Sequence, residues 1–241
     1  SIDINCDLGE GGEFDHELMP LISSCNIACG GHFGDSNSVE SAVKLAKQHK
    51  VHIGAHPSYP DIINFGRISL SLPKVDLKQE LHQQIDIIEK VCEVHNTRMH
   101  HVKPHGALYN DMLKHKDIAD LILEVVSERN KPLILFSPPH VKFSIPVPSR
   151  VVLWSEGFAD RAYRKDLSLV PRKYDGAVFH DSELISKRVL TMVINQKVMS
   201  FSGEILDCAF ETICVHSDTL NAKQILQNLN TELNHKDIRI G

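Results

Sequence analysis

Met99-His100-His101-Val102-Lys103-Pro104-His105-Gly106-Ala107-Leu108-Tyr109-Asn110 is the stretch whose reading decides the fold. A short apolar run with two His inside it stops at a cation, a proline, an imidazole and a glycine. Its length suits a buried strand. Packing gives no reason for a strand to end in Lys103 and His105. A Lys adjoining an apolar run must snorkel, pair or bind an anion, and an imidazole such as that of His105 is a group that can titrate near neutral pH. Pro104 stiffens the turn, and Gly106 is expected to let the backbone approach a ligand. His101 and His105, four apart, face one way on an extended chain. Tyr109 either reaches back as a hydroxyl donor or packs.

The same grammar recurs on both sides of this stretch. Residues 2–6 read as a strand ending at Asp7, residues 22–28 as one ending in Cys29-Gly30-Gly31-His32, and residues 51–55 as one ending at His56-Pro57. Further strands are expected at 99–102, 133–136, 151–155 and 212–215, the last before His216. Between them, apolar residues recur at helical spacing: Val39, Ala42, Val43 and Ala46 behind an Asn37/Glu40 capping box; Leu77, Leu81, Ile85, Ile88 and Cys92; Ile118, Leu121, Ile122, Val125 and Val126; residues 182–195; and Ala222, Ile225, Leu226, Leu229 and Leu233. Prolines crowd residues 138–148, so the helix due there is broken or missing. Residues 197–206 resemble a hairpin turning at Ser202-Gly203. Such alternation argues for a parallel sheet with crossovers. About seven βα units fit a closed barrel better than an open sheet. The expectation is a single α/β domain over 1–241, a distorted (β/α)7-type TIM-like barrel. No Gly-x-Gly-x-x-Gly opens a helix after the first strand, which argues against a dinucleotide fold.

Bulk properties narrow the function. With 26 basic and 31 acidic residues the net charge is −5, so nucleic acid is not an expected partner. No apolar stretch approaches the roughly 18 residues of a membrane span, and the first residues do not read as a signal peptide, so a cytoplasmic protein without membrane contact is expected. The six Cys form no Cys-x-x-Cys pair and lie mostly in apolar runs, as free thiols packed like small hydrophobes do. His is abundant, at 15 residues. His16, His49, His82, His95, His115 and His235 read as surface groups, whereas His32, His56, His101, His105, His180 and His216 sit at the ends of apolar runs.

In a barrel, the C-terminal strand ends meet at one mouth. Polar chemistry closes nearly every strand here: Asp7, His32, His56, Lys103 with His105, Glu156, and His216 with Asp218. In Asp3-Ile4-Asn5-Cys6-Asp7-Leu8-Gly9-Glu10, alternation puts Asn5 and Asp7 on one side; Asp7 is a general base, a metal ligand or a capping turn residue. Asn26-Ile27-Ala28-Cys29-Gly30-Gly31-His32-Phe33-Gly34-Asp35 surrounds His32 with glycines. Gly54-Ala55-His56-Pro57-Ser58-Tyr59-Pro60-Asp61 leads to Arg67, which either clamps an anion or sits in an exposed salt bridge. Glu156-Gly157-Phe158-Ala159-Asp160-Arg161-Ala162-Tyr163 and Leu169-Val170-Pro171-Arg172 supply two Arg and two carboxylates, for a ligand or for an internal network. Thr212-Ile213-Cys214-Val215-His216-Ser217-Asp218 closes the set. There is no Gly-x-x-x-x-Gly-Lys-Ser/Thr, no nucleophile elbow, and no Cys in an evidently reactive setting beside a His.

Taken in order, these motifs resemble those of the LamB/YcsF family, that of the 5-oxoprolinase A subunits. The likeness runs from the first residues to the last strand. This chain differs at Gly31, Phe33 and Ser217, where the family usually has Phe, Ala and Gly, and in its proline-rich 138–148. The resemblance implies a barrel like those of glycoside hydrolases and deacetylases. It implies ATP-dependent opening of 5-oxo-L-proline to L-glutamate, with ATP converted to ADP and phosphate, two partner subunits of B and C type, and ATP bound here or by a partner. Under it, Asp7, His56 or His105 activates water, and Lys103, Arg161 and Arg172 hold anionic groups. Asn5, His32, Arg67, Tyr109, Asp160 and His216 complete the substrate and phosphate side. Two rivals stand beside it: a metal-dependent amidohydrolase or carbohydrate deacetylase, with Asp7, His56 and His105 on a divalent ion, and a lactam-binding subunit without catalysis.

Overall fold

The computed structural model describes residues 1–12 and 14–241. Strands β1 (Asp3–Leu8), β2 (Ser24–Ala28), β3 (His52–His56), β4 (Met99–Val102), β5 (Leu133–Ser137), β6 (Val151–Phe158) and β9 (Thr212–Cys214) close into an all-parallel barrel, β9 pairing with both β6 and β1. The helices are α1 (Asp15–Leu18), α2 (Ser36–His49), α3 (Lys74–Val94), α4 (Gly106–Lys114), α5 (Lys116–Ser127), α6 (Ser182–Asn195) and α7 (Ala222–His235). A separate antiparallel ribbon, β7 (Lys197–Met199) with β8 (Ile205–Asp207), is the expected hairpin.

The outward faces of β2 to β6 meet the helices α2, α3 and α5. Ile4, Cys6 and Leu8 of β1 are wholly buried, as are Leu77, Leu81, Ile85, Ile88 and Cys92 of α3. All six cysteines are free and buried. The inward face is unusual. TIM barrels fill their interiors mainly with branched apolar side chains; this one is filled with hydrogen-bonding groups. Asp3 accepts from Ser24 (2.6 Å) and from Thr212 (2.5 Å) in the lowest layer. His101 lies above it, bonded to Asn26 Oδ1 at 2.8 Å and stacked on Phe136 at 4.1 Å. The ring occupies the space a side chain at position 54 would take: a Cβ on Gly54 would stand 2.1 Å from His101 Nε2.

Three local expectations change, and one helix is added. Asp35, not Asn37, caps α2, in a reciprocal box with Ser38, because its carboxylate reaches the Asn37 and Ser38 amides. Residues 106–114 form a helix, α4, whose buried face is Ala107, Leu108, Asp111 and Met112. Gly106 serves packing rather than a ligand: at φ +54° its Cα approaches the Gly66 carbonyl, which a Cβ would meet at 2.5 Å. His180 is exposed, away from the other strand-end imidazoles. The 138–150 connection holds no helix, and instead hangs Val141, Phe143 and Ile145 against the core while Ser144 N donates to Asp120 at 2.8 Å.

Candidate active site

The C-terminal ends of the strands open into a cavity of about 370 Å³, within the range of small-molecule sites. Its floor is ionic. Strand alternation turns Asn5 and Asp7 inward, and Asn26 follows on β2. Asn26 Nδ2 donates to Asp7 Oδ1 and to Asn5 Oδ1, both at 2.7 Å. Asn5 Nδ2 donates to Glu156 Oε1 (2.9 Å) and Thr212 Oγ1 (2.7 Å). Lys103, just past β4, sends its ammonium into this ring: 2.8 Å from Asp7 Oδ1, 2.9 Å from Glu156 Oε1, 3.2 Å from Asn5 Oδ1 and 3.2 Å from Cys214 Sγ. Phe158 lies 5.3 Å from the cation.

Burial opposes both charges of the central pair, and the partners override it. Burial pushes the Asp7 carboxyl up, but His56 and Lys103 hold it well below the usual carboxylate range. Burial pushes the Lys103 ammonium down, but the Asp7 and Glu156 carboxylates keep it well above the ordinary lysine value. Both are therefore ionised, and Lys103 is enclosed by carboxylates rather than open to an incoming anion. The Cys214 thiol stays protonated, since burial pushes it up more than Lys103 pulls it down. Tyr109 OH and Glu156 Oε2 are both buried without a hydrogen-bond partner in the described residues. Burial and the Glu156 charge raise the phenol well above its ordinary value.

Beside the floor lies an imidazole cluster. His56 ends β3, and His105 lies between β4 and α4, facing it. His56 Nδ1 stands 2.7 Å from the Lys103 carbonyl, and His105 Nε2 stands 3.0 Å from the Phe65 carbonyl. The remaining nitrogens, His56 Nε2 and His105 Nδ1, are 2.9 Å apart. Glu10 reaches back over them: its Oε1 is 2.9 Å from His32 Nε2, 3.3 Å from His105 Nδ1 and 3.7 Å from His56 Nε2. Gly9, at φ +72°, gives the turn that returns Glu10 to the mouth. His32 stacks flat on His105 at 3.7 Å. Burial lowers all three rings; Asp7, 3.5 Å away, raises His56 above the ordinary value, while neighbouring imidazoles deepen the depression of His105.

The far wall is cationic. Arg161 is buried with one hydrogen bond, from Nη2 to the Val170 carbonyl at 2.8 Å; its Nε has no partner, and no carboxylate pairs with it among the described residues. Burial and the neighbouring Arg172 bring its guanidinium down to about 10. Arg172 and Arg67 both reach Asp218 at the rim, at 3.4 and 2.9 Å. Asp160 is fully buried and fixed on His216 Nδ1 at 2.9 Å and on the Thr219 hydroxyl. Burial raises its carboxyl, yet His216, Thr219 and Arg172 bring it to about 2. The His216 ring lies parallel to Phe158, 5.1 Å away.

Comparison with known proteins gives this barrel and its polar strand ends a kinship. The model described as the LamB/YcsF family matches residues 2–241. The chain belongs to the LamB/YcsF family. A Staphylococcus haemolyticus relative, named as the A subunit of 5-oxoprolinase, is 40% identical, with 99% of this chain and 98% of that one covered. The crystal structure of a lactam utilization protein from Thermus thermophilus is 31% identical and superposes with a TM-score of 0.91 over 100% of this chain and 98% of its own. A GH113 β-1,4-mannanase, 10% identical with a TM-score of 0.53 over 95% of this chain and 98% of its own, shares the barrel fold.

The family motifs thus meet in one mouth. Asp7, His56, Lys103, His105, Tyr109, Arg161, Arg172, Arg67 and His216 all line the cavity. Asn5 lies beneath it, His32 behind His105, and Asp160 behind His216. His101, expected to share the direction of His105, is sunk in the barrel on Asn26. Arg67 forms the exposed salt bridge and still lines the cavity. Arg161 and Arg172 do not pair with Glu156 or Asp160: those carboxylates are taken by Lys103 and by His216. At position 31 a side chain would meet Ser58 Oγ and Gln84 Oε1 at 2.4 Å, so those two groups fill the space beside Gly31. Sequence reasoning undervalues Glu10 and Cys214. The Gly9-Glu10 pair directly after a strand is the available signal for the first, and the inward register Thr212, Cys214, His216 for the second.

Proposed function

We propose that this chain is the lactam-opening subunit of an ATP-dependent 5-oxoprolinase, yielding L-glutamate from 5-oxo-L-proline as ATP becomes ADP and phosphate. The observation that carries the reading is Arg161. A buried guanidinium with only a carbonyl partner is a receptor for an anion, and it lines the same cavity as an ionised carboxylate, Asp7. The substrate carboxylate fits the Arg161–Arg172 wall. A five-membered lactam is resonance-stabilised and resists water. Phosphorylation of its carbonyl oxygen makes the carbon electrophilic and adds a second anionic group for the same wall and Arg67. Water adds to that carbon and its proton passes to Asp7, which Lys103 and His56 hold in place; the tetrahedral adduct then collapses by breaking the ring C–N bond, the amine nitrogen taking up that proton, and a second water cleaves the acyl phosphate so formed to L-glutamate and phosphate. Phosphoryl transfer is assigned to partners of B and C type, since this chain has no Gly-x-x-x-x-Gly-Lys-Ser/Thr and its relatives are named as the A component of a multi-subunit enzyme.

The test is glutamate release by the purified chain with and without each partner and ATP. Glutamate is expected only from the complete set, and Arg161→Gln is expected to raise KM for the lactam by at least tenfold, about 1.4 kcal/mol. Full activity without ATP, or unaltered kinetics in Arg161→Gln, refutes the assignment. A chain that binds the lactam but adds nothing to the partners' turnover is a binding subunit.

A further inference from the structure

We infer that Glu10, His56 and His105 form a binding site for one first-row divalent cation of the zinc class, with its open coordination position facing the cavity. The ring nitrogens fix the tautomers. His56 Nδ1 lies 2.7 Å from the Lys103 carbonyl, and a carbonyl only accepts, so the N–H of that imidazole is at Nδ1. His105 Nε2 lies 3.0 Å from the Phe65 carbonyl, so its N–H is at Nε2. In the neutral rings the two nitrogens left over, His56 Nε2 and His105 Nδ1, each carry a lone pair, and they face each other at 2.9 Å. Two lone pairs at that distance repel unless a cation or a proton lies between or beside them. A backbone carbonyl holding the far N–H is the outer-shell arrangement that orients metal-ligating histidines.

The spacing fits an ion. Tetrahedral zinc with bonds of about 2.0–2.1 Å sets its ligand atoms about 3.3–3.4 Å apart. The three separations are 2.9 Å (His56–His105), 3.3 Å (Glu10–His105) and 3.7 Å (Glu10–His56), and they bracket that value. Two imidazoles and one carboxylate are the donor set of a zinc site that keeps a fourth position free. All three residues line the cavity, which gives that position access to solvent and substrate. His32 does not line the cavity. Its Nε2 is 2.9 Å from Glu10 Oε1 and its ring is stacked on His105, so it is a positioning residue for both ligands. Asp7, named as a ligand in the metal-dependent reading of the sequence, has Oδ1 occupied by Lys103 and Asn26. It stands beside the site, 3.5 Å from His56 Nε2.

The site is independent of which amide the cavity receives, so it is tested on the chain alone, without partner, nucleotide or lactam. Chelator-stripped protein is titrated with Zn²⁺ by calorimetry, with metal analysis after gel filtration, and with Co²⁺ by visible absorption. One ion per chain is expected, with the intense Co²⁺ bands of a four- or five-coordinate site. Glu10→Gln and His105→Gln are expected to weaken Zn²⁺ by at least about a hundredfold, and His32→Gln by about tenfold. Glu10→Gln keeps size and shape at the cavity edge, so it decides the matter if a His variant fails to fold. The inference is overturned by absence of uptake at millimolar Zn²⁺, which leaves a shared proton between the two nitrogens, or by uptake that Glu10→Gln and the His56→Gln/His105→Gln pair leave unchanged.

Discussion

Replacing Lys103 by Met removes one charge and leaves two. The ammonium sits 2.8 Å from Asp7 and 2.9 Å from Glu156, and all three residues are buried. At an effective dielectric of about 20, each contact carries roughly 6 kcal/mol of attraction before desolvation is set against it. Most of that attraction offsets burial of the charges themselves. Loss of one partner is different, because the carboxylates remain without their cation, and such losses amount to about 3–5 kcal/mol. For a chain of 241 residues this corresponds to a Tm lower by roughly 6–20 °C. The assay is urea unfolding at pH 7 of wild type, Lys103→Met, Glu156→Gln and the double variant. Glu156→Gln in the Lys103→Met background should restore part of the loss, with a coupling of about 1–3 kcal/mol. A Lys103→Met protein within about 0.5 kcal/mol of wild type refutes the buried ionic floor. Unchanged glutamate formation by that variant, given both partners, refutes its role in holding Asp7.

Gly54→Ala forces a Cβ to within 2.1 Å of His101 Nε2 and should destabilise by about 1–3 kcal/mol in urea unfolding, with relief on adding His101→Ala. Asp160 sits at about 2 against an ordinary 3.8, a gap equivalent to about 2.5 kcal/mol; because the folded value is depressed, that stability is present above about pH 4 and lost as pH falls through 2. Asp160→Asn should therefore be less stable than wild type at pH 7, with the difference narrowing below about pH 4 in an acid-unfolding series. Arg67→Ala breaks a half-exposed pair with Asp218 and should change stability by less than about 0.5 kcal/mol, while salt dependence of lactam KM weakens.

The legible part of this protein is its outer shell. Helix spacing at Leu77–Cys92 and Ala222–Leu233 marks the faces that pack on the barrel, and these residues are buried as expected. What alternation hides is direction. Asp3-Ile4-Asn5-Cys6-Asp7-Leu8 reads as a strand with one dry face and one wet face. In a closed barrel the polar face turns toward the axis, where Asp3, Asn5 and Asp7 are all buried and bonded to side chains from four other strands or their ends. The polar layers are satisfied only by partners far away in sequence, such as Thr212 for Asp3 and Lys103 for Asp7. No local pattern records that pairing. Strand-end chemistry survives translation into structure because barrel closure alone brings the ends together, whereas the ownership of each charge does not. Lys103 reads in sequence as a free cation because its two carboxylates lie 96 and 53 positions away, Asp7 before it and Glu156 after it. Arg161 and Arg172 read in sequence as serving either a ligand or an internal network with Glu156 and Asp160, and the structure turns those carboxylates to Lys103 and His216. Of the three cations expected to hold anionic groups, Lys103 is paired with carboxylates in the floor, whereas Arg161 in the wall has only a carbonyl partner among the described residues. Under the proposed function, a lactam held by its carboxylate at Arg161 would share one cavity with Asp7, His56 and His105, which line it from the ends of other strands.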